Sequence, residues 1–369
     1  MEMTAGILAM LLGAVGGIVL GITARVGRFC TLGAIEDAML AGNFLRMRIW
    51  VMAMAVAVLG TALLNSAGLI DISQSFLAER PLNLMTLISG GLAFGVGMAL
   101  VGTCGFGTLV RLGGGDLKSF VVFLVIGISA YMAAAGPTAL FRQSFLDDFA
   151  LDPAWVGTPL LGDLMARTLG MTPLNAGLTI AVILTACALI TATASHRRRT
   201  VLIGGVVGLV IVWGWFVTGY VASDPFEPVP VASYAFIRGL GASVLFLMAS
   251  SGTEVGFGIG ATVGVLLGSL CAAVWKREFR WEANDDVTEQ KRHIIGAFLM
   301  GTGGMFALGC TIGQGLTAVS MLALSAPIVL ASIGIGAWLG LHYVVEGTIA
   351  GALRAIVGAP IRASNARSK

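Results

Sequence analysis

The sequence has few charged residues. Asp, Glu, Lys and Arg together make up 11% of its 369 residues, against roughly a quarter in typical soluble domains. Apolar side chains make up 57%, and the mean hydropathy is +0.93. Such a composition indicates a protein that lies in a lipid bilayer. The net charge of +3 is too small to indicate a nucleic-acid partner, and we expect none.

Histidine and cysteine are also scarce. The chain has three His and five Cys, and no two cysteines form a C-x-x-C pair. This scarcity argues against a metal site rich in these ligands, so we expect no metal and no cofactor. Glycine, in contrast, occurs 52 times. In a membrane protein, abundant glycine predicts close helix packing, non-helical backbone within the bilayer, or both.

Long runs without Asp, Glu, Lys or Arg predict the transmembrane segments. They cover residues 3–24, 49–70, 81–110, 119–141, 168–195, 200–223, 239–253, 255–275 and 294–345. A spanning helix needs about 20 residues, so the run 81–110 exceeds one span, and 294–345 exceeds two. The run 239–253 suits a half-helix. We expect an all-α polytopic membrane protein with about nine transmembrane helices and short re-entrant half-helices.

Charged segments predict the orientation. No basic residue precedes the first apolar run, which we interpret as a spanning helix rather than a signal peptide. Basic segments favour the cytoplasm, and they include 197–199, 276–292, and the tail with Arg354, Arg362, Arg367 and Lys369. The acidic segments 147–152 and 224–227 are then periplasmic. The N-terminus is predicted to be periplasmic and the C-terminus cytoplasmic. Between residue 224 outside and residue 276 inside, the chain must cross the membrane an odd number of times, and this stretch is too short for three crossings. We therefore expect one crossing within 236–275, together with a segment that enters the membrane without crossing it.

The chain divides near the arginines at 197–199. We interpret residues 1–369 as a single integral membrane transport domain that is internally duplicated, with pseudo-repeat halves at about 1–195 and 200–369. Each half contains long apolar runs that are interrupted by glycine-rich breaks. The sequence leaves open whether the repeats are parallel or inverted.

Three of the five cysteines share the pattern G-x8-C-x-x-G. Cys30 is followed by Gly33, Cys104 by Gly107 and Cys310 by Gly313, and the first glycines are Gly21, Gly95 and Gly301. Cys187 and Cys271 do not match the pattern, and we interpret them as apolar filler. The pattern predicts that a spanning helix ends at a glycine-rich break, that the cysteine lies at the break, and that a short helix follows.

The predicted breaks are candidate binding positions. Helix N-termini suit anions, and thiols add soft, polarisable contacts. Thr31, Thr311 and Gln314 lie within one turn of a motif cysteine, where they can donate hydrogen bonds to oxyanion oxygens or cap the short helices. For Arg25, Arg28 and Arg111 the alternatives are anion attraction and anchoring at the cytoplasmic interface. Glu36, Asp37 and Glu254 are open between membrane-depth and interfacial positions.

The segments GRFCTLGAIEDAM, CGFGTLVRLGGGDLKSF and GCTIGQGLTAVSMLALSAPIVLASIGIGAWLG resemble the YeeE/YedE sulfur-transport family. The resemblance extends from about Gly16 to Tyr343. It implies re-entrant helices that face each other across the bacterial inner membrane, and import of thiosulfate along a central path. It also implies that Cys30, Cys104 and Cys310 handle the ion by transient S–H contacts. A soluble sulfur carrier of the TusA type is an expected partner in trans.

The sequence therefore predicts a transporter without catalytic residues. Its transport path comprises Cys30, Cys104, Cys310, Gly33, Gly107, Gly313, Thr31, Thr311 and Gln314. One alternative is a membrane sulfurtransferase that forms a cysteine persulfide, although no His lies within the motifs to activate a thiol. The other alternative is a soft-metal transporter, which would be expected to have C-x-x-C or Met-x-x-Met motifs beside the cysteines.

Overall fold

The computed structural model describes residues 4–79, 82–146, 159–190, 194–223, 229–283 and 286–347. Within these ranges the protein is helical and has no strand, only the isolated bridges Asp116–Glu282 and Leu160–Ala323. The predicted acidic segments 147–152 and 224–227 and the basic residues of the C-terminal tail lie outside the described residues. The expectation of an all-α polytopic membrane protein is confirmed.

The long helices form the body of the protein. They are α1 (Ala5–Gly27), α3 (Leu45–Ser66), α5 (Leu84–Val101), α7 (Leu117–Ala135), α10 (Pro173–Ile190), α11 (Ala194–Phe216, continued by a π helix over Val217–Val221), α13 (Phe257–Trp275), α14 (Val287–Phe306) and α15 (Ser325–Glu346). Eight of them are long and apolar enough to span a membrane. The ninth, α14, has 20 residues but carries Glu289, Lys291 and Arg292 in its first turns.

Short helices follow or connect the long ones. They are α2 (Thr31–Leu40), α4 (Phe76–Glu79), α6 (Gly105–Leu112), α8 (Pro137–Phe145), α9 (Leu161–Leu169), α12 (Phe236–Met248), the 3₁₀ helix Ile72–Gln74 and the π helix Gly313–Ala318. With 13 residues, α12 is too short to cross a bilayer. Because α13 does have that length, the region 236–275 holds one possible crossing and one shorter segment, as predicted.

One segment differs from its sequence interpretation. The charge-free runs 168–195 and 200–223 predict a loop at the arginines 197–199, between two spans. They lie in the first turns of α11, and only residues 191–193 separate α11 from α10. All three side chains are exposed. Long basic side chains can extend from a helix end to water, so the helix begins before its charged residues.

Glycines on facing helices set the packing. Gly13, Gly17 and Gly21 of α1 lie against successive turns of α13, starting at Phe257. As the residue number rises along α1, the number of the contacted residue rises along α13, so the two helices are parallel. The third glycine is the first position of the Cys30 pattern, and a Cβ there would overlap the backbone carbonyl of Val265. Gly95 contacts α15 in the same way, at the carbonyl of Ile333. These glycines allow the backbones to approach closely.

The helix directions reveal four units, each consisting of a long helix, a short helix and a long helix. They are α1–α2–α3, α5–α6–α7, α11–α12–α13 and α14–π–α15, where π denotes Gly313–Ala318. The first helix of the first unit is parallel to the last helix of the third unit, and α3 is parallel to α11 through Gly204 and Gly208. Such an arrangement is typical of inverted-topology repeats. The division into duplicated halves at 1–195 and 200–369 stays a prediction.

Candidate functional site: three cysteines at helix breaks

Each motif cysteine immediately precedes a short helix. The carbonyl oxygen of Cys30 accepts a hydrogen bond from the Ala34 amide at 3.0 Å, and that of Cys104 accepts one from Thr108 at 2.8 Å. The Cys310 carbonyl accepts from the Gln314 amide at 2.7 Å. An i+4 amide that bonds to the cysteine carbonyl marks the first turn of a helix. The predicted break with a cysteine at its start is therefore present three times.

The backbone leaves the preceding helix in the same way each time. The residue two positions before the cysteine adopts a left-handed conformation: Arg28 with φ 53°, Gly102 with φ 76° and Leu308 with φ 58°. A left-handed residue ends a helix and turns the chain. Only Gly102 is a glycine, so at the other two breaks a non-glycine residue holds this conformation against its steric cost. Three equivalent turns place the cysteines at equivalent positions.

The glycine after each cysteine has a spatial role. The Gly107 amide lies 3.4 Å from Cys104 Sγ, and the Gly313 amide lies 3.4 Å from Cys310 Sγ, each in hydrogen-bonding geometry. At Gly33 a Cβ would overlap the guanidinium of Arg46. Arg46 also forms an ion pair with Asp37, at 3.1 Å. The first motif therefore has a charged neighbour, whereas the other two direct a backbone amide to the thiol.

The starts of the short helices meet in the interior. The Cys104 thiol lies near Cys30 and Cys310 and beside Thr311. The first turn of α12 packs on the same point: the rings of Phe106 and Phe236 are 4.9 Å apart. Cys104 and Cys310 are buried, while Cys30 is partly exposed. The three thiols of the pattern thus lie along one region of the protein.

Two hydroxyl groups in this region have no hydrogen-bond partner. Thr31 and Thr311 occupy the position directly after Cys30 and Cys310, and the Oγ1 atom of each is buried and unpartnered. Thr311 lies near the Cys104 thiol but not in the geometry of a hydrogen bond. A buried, unpartnered hydroxyl is costly. These two hydroxyls do not cap their helices, which leaves them free to donate to a bound ligand.

Gln314 has a different role. Its Nε2 donates to the Ala307 carbonyl at 2.9 Å, and its Oε1 accepts from the Ser325 hydroxyl at 3.3 Å. The side chain is completely buried. Its amide links the end of α14 to the start of α15 across the break. Of the two alternatives for this residue, the structure favours a local role in holding the break.

The basic residues near the breaks bind backbone carbonyls. Arg111 Nη2 donates to the Gly102 carbonyl at 2.7 Å, at the turn before Cys104. Arg25 Nη1 donates to Val110 at 3.3 Å, and its Nε lies 3.7 Å from a carboxylate oxygen of Glu278. These contacts join α1 and α6 to the segment after α13. They support a role in fastening the breaks rather than a free cationic patch.

The two other cysteines lie elsewhere. Cys187 is within α10 and Cys271 within α13, and both are exposed on uninterrupted helices. Within the described ranges, no group of three or more His, Cys, Asp or Glu side chains is arranged to hold a metal ion. The motif cysteines therefore do not converge on one common metal position.

A large cavity leads toward the cysteines. It has a volume of about 1200 Å³ and opens beside the N-terminal end of α1. Its wall includes Gly309, Gly313 and Thr317 from the break that holds Cys310. We call it the vestibule. Because Gly313 lines the vestibule and directs its amide to the buried Cys310 thiol, the vestibule wall reaches the break that holds this cysteine.

Sequence reasoning missed two residues. Arg238 lines the vestibule, but it precedes the charge-free run 239–253 and was passed over for that reason. Trp50 is 4% exposed, stacks on Phe29 next to Cys30, and has an unpartnered Nε1. Its ring also lies against Gly315 of the third motif. Tryptophan in a predicted span gives no sequence signal for such a position.

Known proteins that are similar to this chain indicate its family. The sulphur transport family model matches residues 26–339. Over 335 residues the chain is 27% identical to the thiosulfate transporter TsuA of Spirochaeta thermophila, covering 84% of this chain and 91% of that protein. Over 349 residues it is 29% identical to the thiosulfate transporter TsuA of Escherichia coli, covering 89% and 93%. Both relatives are named as transporters, which agrees with the expectation that this chain is not an enzyme. From its match over residues 26–339 and the cysteine segments within it, the chain belongs to the sulphur transport family.

Proposed function

We propose that this protein imports thiosulfate through the bacterial inner membrane along a path formed by Cys310, Cys104 and Cys30. The observation that carries the proposal is the placement of the motif thiols beside two buried, unpartnered hydroxyls, those of Thr31 and Thr311. Thiosulfate has a soft terminal sulfur and three hard oxygens. Thiols suit the first and hydroxyl donors suit the second.

The surroundings of each cysteine support an order along the path. Cys310 is closest to the vestibule, because Gly313 lines that cavity and points its amide at the thiol. Cys104 lies near both other cysteines, and we assign it the middle position. Cys30 is partly exposed and lies in the motif whose Gly33 faces the Arg46–Asp37 pair. The ion would pass from one thiol to the next by short-lived S–H contacts, without a covalent step.

The orientation is part of the proposal. Arg46 at the start of α3 and the arginines 197–199 at the start of α11 lie on parallel helices, as expected for one basic side of the membrane. That side is taken as cytoplasmic, which makes the vestibule periplasmic, the N-terminus periplasmic and the C-terminus cytoplasmic. A soluble carrier of the TusA type would then approach on the Cys30 side and collect the imported sulfur species.

Isotope tracking tests the function. Thiosulfate with its two sulfur atoms labelled separately is offered to cells that lack other importers of the ion and express the protein. We expect both labels to enter in equal amounts, and an empty-vector strain to take up neither. Entry of the sulfane label alone, with sulfite left outside, would support the sulfurtransferase alternative instead. A metal-uptake assay on the same cells examines the soft-metal alternative.

Site-directed labelling tests the orientation. Single cysteines are placed at Arg198 and at Glu278 in a variant without native cysteines, and are treated with a membrane-impermeant thiol reagent. We expect labelling only after the cells are opened, whereas a cysteine at Thr4 should react in intact cells. Labelling of position 278 from outside would reverse the proposed direction of the path.

A further inference from the structure

One buried polar group near the first cysteine break has no partner in the protein. Trp50, in the second turn of α3, is 4% exposed. Its Nε1 atom is buried and makes no hydrogen bond to any residue that the structure describes. A buried indole N–H usually has an acceptor, and leaving it without one costs free energy. The N–H of Trp50 thus lacks the acceptor that its burial calls for.

Two tryptophans of α11 show the usual arrangement. Trp213 Nε1 donates to the Leu12 carbonyl at 3.1 Å, and Trp215 Nε1 donates to the Ser320 hydroxyl at 2.9 Å. Each bond joins α11 to another segment of the chain. Trp50 is buried like Trp215 but makes no such bond within the described ranges. Its N–H therefore does not serve to hold two segments together.

Trp50 lies between the first and the third cysteine break. Its ring stacks on Phe29, the residue directly before Cys30, with the ring centroids 4.6 Å apart and the planes inclined by 19°. A Cβ at Gly315, in the π helix that follows Cys310, would lie 3.2 Å from Trp50 Cζ3. Cζ3 belongs to the six-membered ring, on the side of the indole away from Nε1. The N–H is therefore not directed at this π helix.

The face of α3 that carries Trp50 covers the Cys30 break. Residues four apart share one face of a helix, and Arg46 lies four residues before Trp50. The Arg46 guanidinium occupies the space where Gly33 would carry a Cβ, three residues after Cys30. Arg46 and Trp50 thus approach the same break from the same helix, one on each side of Cys30 in the sequence that they contact.

The first break differs from the other two in the surroundings of its thiol. At the other breaks a backbone amide of the short helix points to the sulfur, whereas α2 directs none to the Cys30 thiol. Two buried donors without a partner among the described residues belong to this break instead, the Thr31 hydroxyl and the Trp50 N–H. Cys30 is also partly exposed. The break combines a thiol with two donors that the fold does not use.

We infer that the Trp50 indole N–H binds the substrate anion, donating to one of its oxygens while the terminal sulfur lies at Cys30. The inference rests on the proposed function, since it adds a contact to the path of the imported ion. An indole N–H donates and does not accept, which suits a dianion whose oxygens only accept. Hydrogen bonds to a charged acceptor are stronger than those between neutral groups, and the stack on Phe29 holds the ring in place for this contact.

The transport test compares Trp50→Phe with Trp213→Phe. Both changes remove an indole N–H and leave an aromatic ring, but Trp213 bonds to α1 away from the breaks. Initial uptake at low thiosulfate concentration, normalised to protein in the membrane, should fall about ten-fold or more in Trp50→Phe, as for the loss of one hydrogen bond to a charged ligand. Trp213→Phe should transport at close to the parent rate. If the parent transports and the two variants do so equally, the inference is wrong.

A signal from the N–H itself gives a readout that a packing role would not change. The chain has seven tryptophans, and ¹⁵N-labelled indole groups each give an NMR signal in protein solubilised in detergent. The signals missing from Trp50→Phe and Trp213→Phe identify the two residues. We expect thiosulfate to move the Trp50 proton signal downfield and to leave the Trp213 signal in place, with sodium chloride at matched ionic strength as the control. A Trp50 signal that stays in place at saturating thiosulfate would overturn the inference.

The two measurements separate this inference from the proposed function. If thiosulfate moves the Trp50 signal while cells that express the parent take up no thiosulfate, the inference holds and the proposed function alone fails. Uptake by the parent, combined with an unmoved Trp50 signal and undiminished uptake in Trp50→Phe, would reject the inference and leave the function standing.

Discussion

The helices that hold the two groups of cysteines differ in one respect. Cys187 and Cys271 lie inside continuous helices, where every nearby backbone amide already bonds to a carbonyl one turn back, and their side chains face outward. Cys104 and Cys310 lie where a helix starts, and their thiols receive the free amide of Gly107 and Gly313. The same side chain therefore acquires polar neighbours only where the helix is interrupted.

The strongest test of this contrast is Cys104→Ala. We expect it to abolish thiosulfate uptake, because Cys104 is buried and takes the middle position in the proposed order, while Cys30→Ala and Cys310→Ala should reduce or abolish it. Cys104→Ser keeps a small donor but loses the soft sulfur, so it should restore little activity if sulfur contact is what matters. Growth on thiosulfate as sole sulfur source gives the measurement. Full activity of Cys104→Ala, with normal amounts of protein in the membrane, would refute the thiol path.

The glycine that begins each pattern provides the second test. In Gly95→Ala the added methyl would overlap the Ile333 carbonyl, so α5 and α15 must separate, at a cost of about 1–3 kcal/mol for overpacking. The matched change is Gly205→Ala in α11, where a Cβ meets no atom within 4 Å. Thermal unfolding in detergent should show a lower Tm for Gly95→Ala and an unchanged or higher Tm for Gly205→Ala. Equal Tm values would show that this glycine does not determine the packing.

The third test concerns the unpartnered hydroxyls. Thr31→Val and Thr311→Val keep the side-chain shape, and we expect uptake to fall about ten-fold or more in each, as for the loss of one hydrogen bond to a charged ligand. The Tm should not fall, because neither hydroxyl has a partner in the protein. Thr185→Val, whose hydroxyl donates to Ala181 in α10, is the control for uptake. A lower Tm with unchanged uptake would assign these hydroxyls to the fold.

The smallest effect is expected for the cysteines outside the pattern. Cys187→Ser and Cys271→Ser should transport at close to the parent rate, since their side chains are exposed on helices without a break. Transport is measured with labelled thiosulfate and normalised to protein in the membrane. A clear loss in either variant would remove the distinction between the two groups of cysteines.

Individual elements show what could be predicted from the sequence. The break at each motif cysteine was predictable because close contacts between segments leave glycine in a regular pattern around it. The short helix α12 was predictable because the stretch from residue 224 to 276 is long enough for one crossing only, which leaves a segment that does not cross. The arginines 197–199 were placed in a loop, but they lie within α11, since their side chains can reach water from a helix.

Contacts distant in the chain were not predictable. Gln314 appeared as able to donate to an anion as Thr311 did, until its amide was found between Ala307 and Ser325. Arg238 gave no signal, because the Phe76 ring that its guanidinium stacks on lies in another segment. Whether a polar group is satisfied depends on residues far away in sequence.

By itself, the sequence determined that the chain lies in a membrane, that its helices break at three cysteines, and that two further cysteines are different. These properties follow from hydropathy and local backbone preference, which neighbouring residues decide. Only the tertiary structure decided that α1 is parallel to α13, that the short helices meet around Cys104, and that a vestibule with Arg238 ends at Gly313. These features arise from packing between segments hundreds of residues apart, which local patterns do not encode.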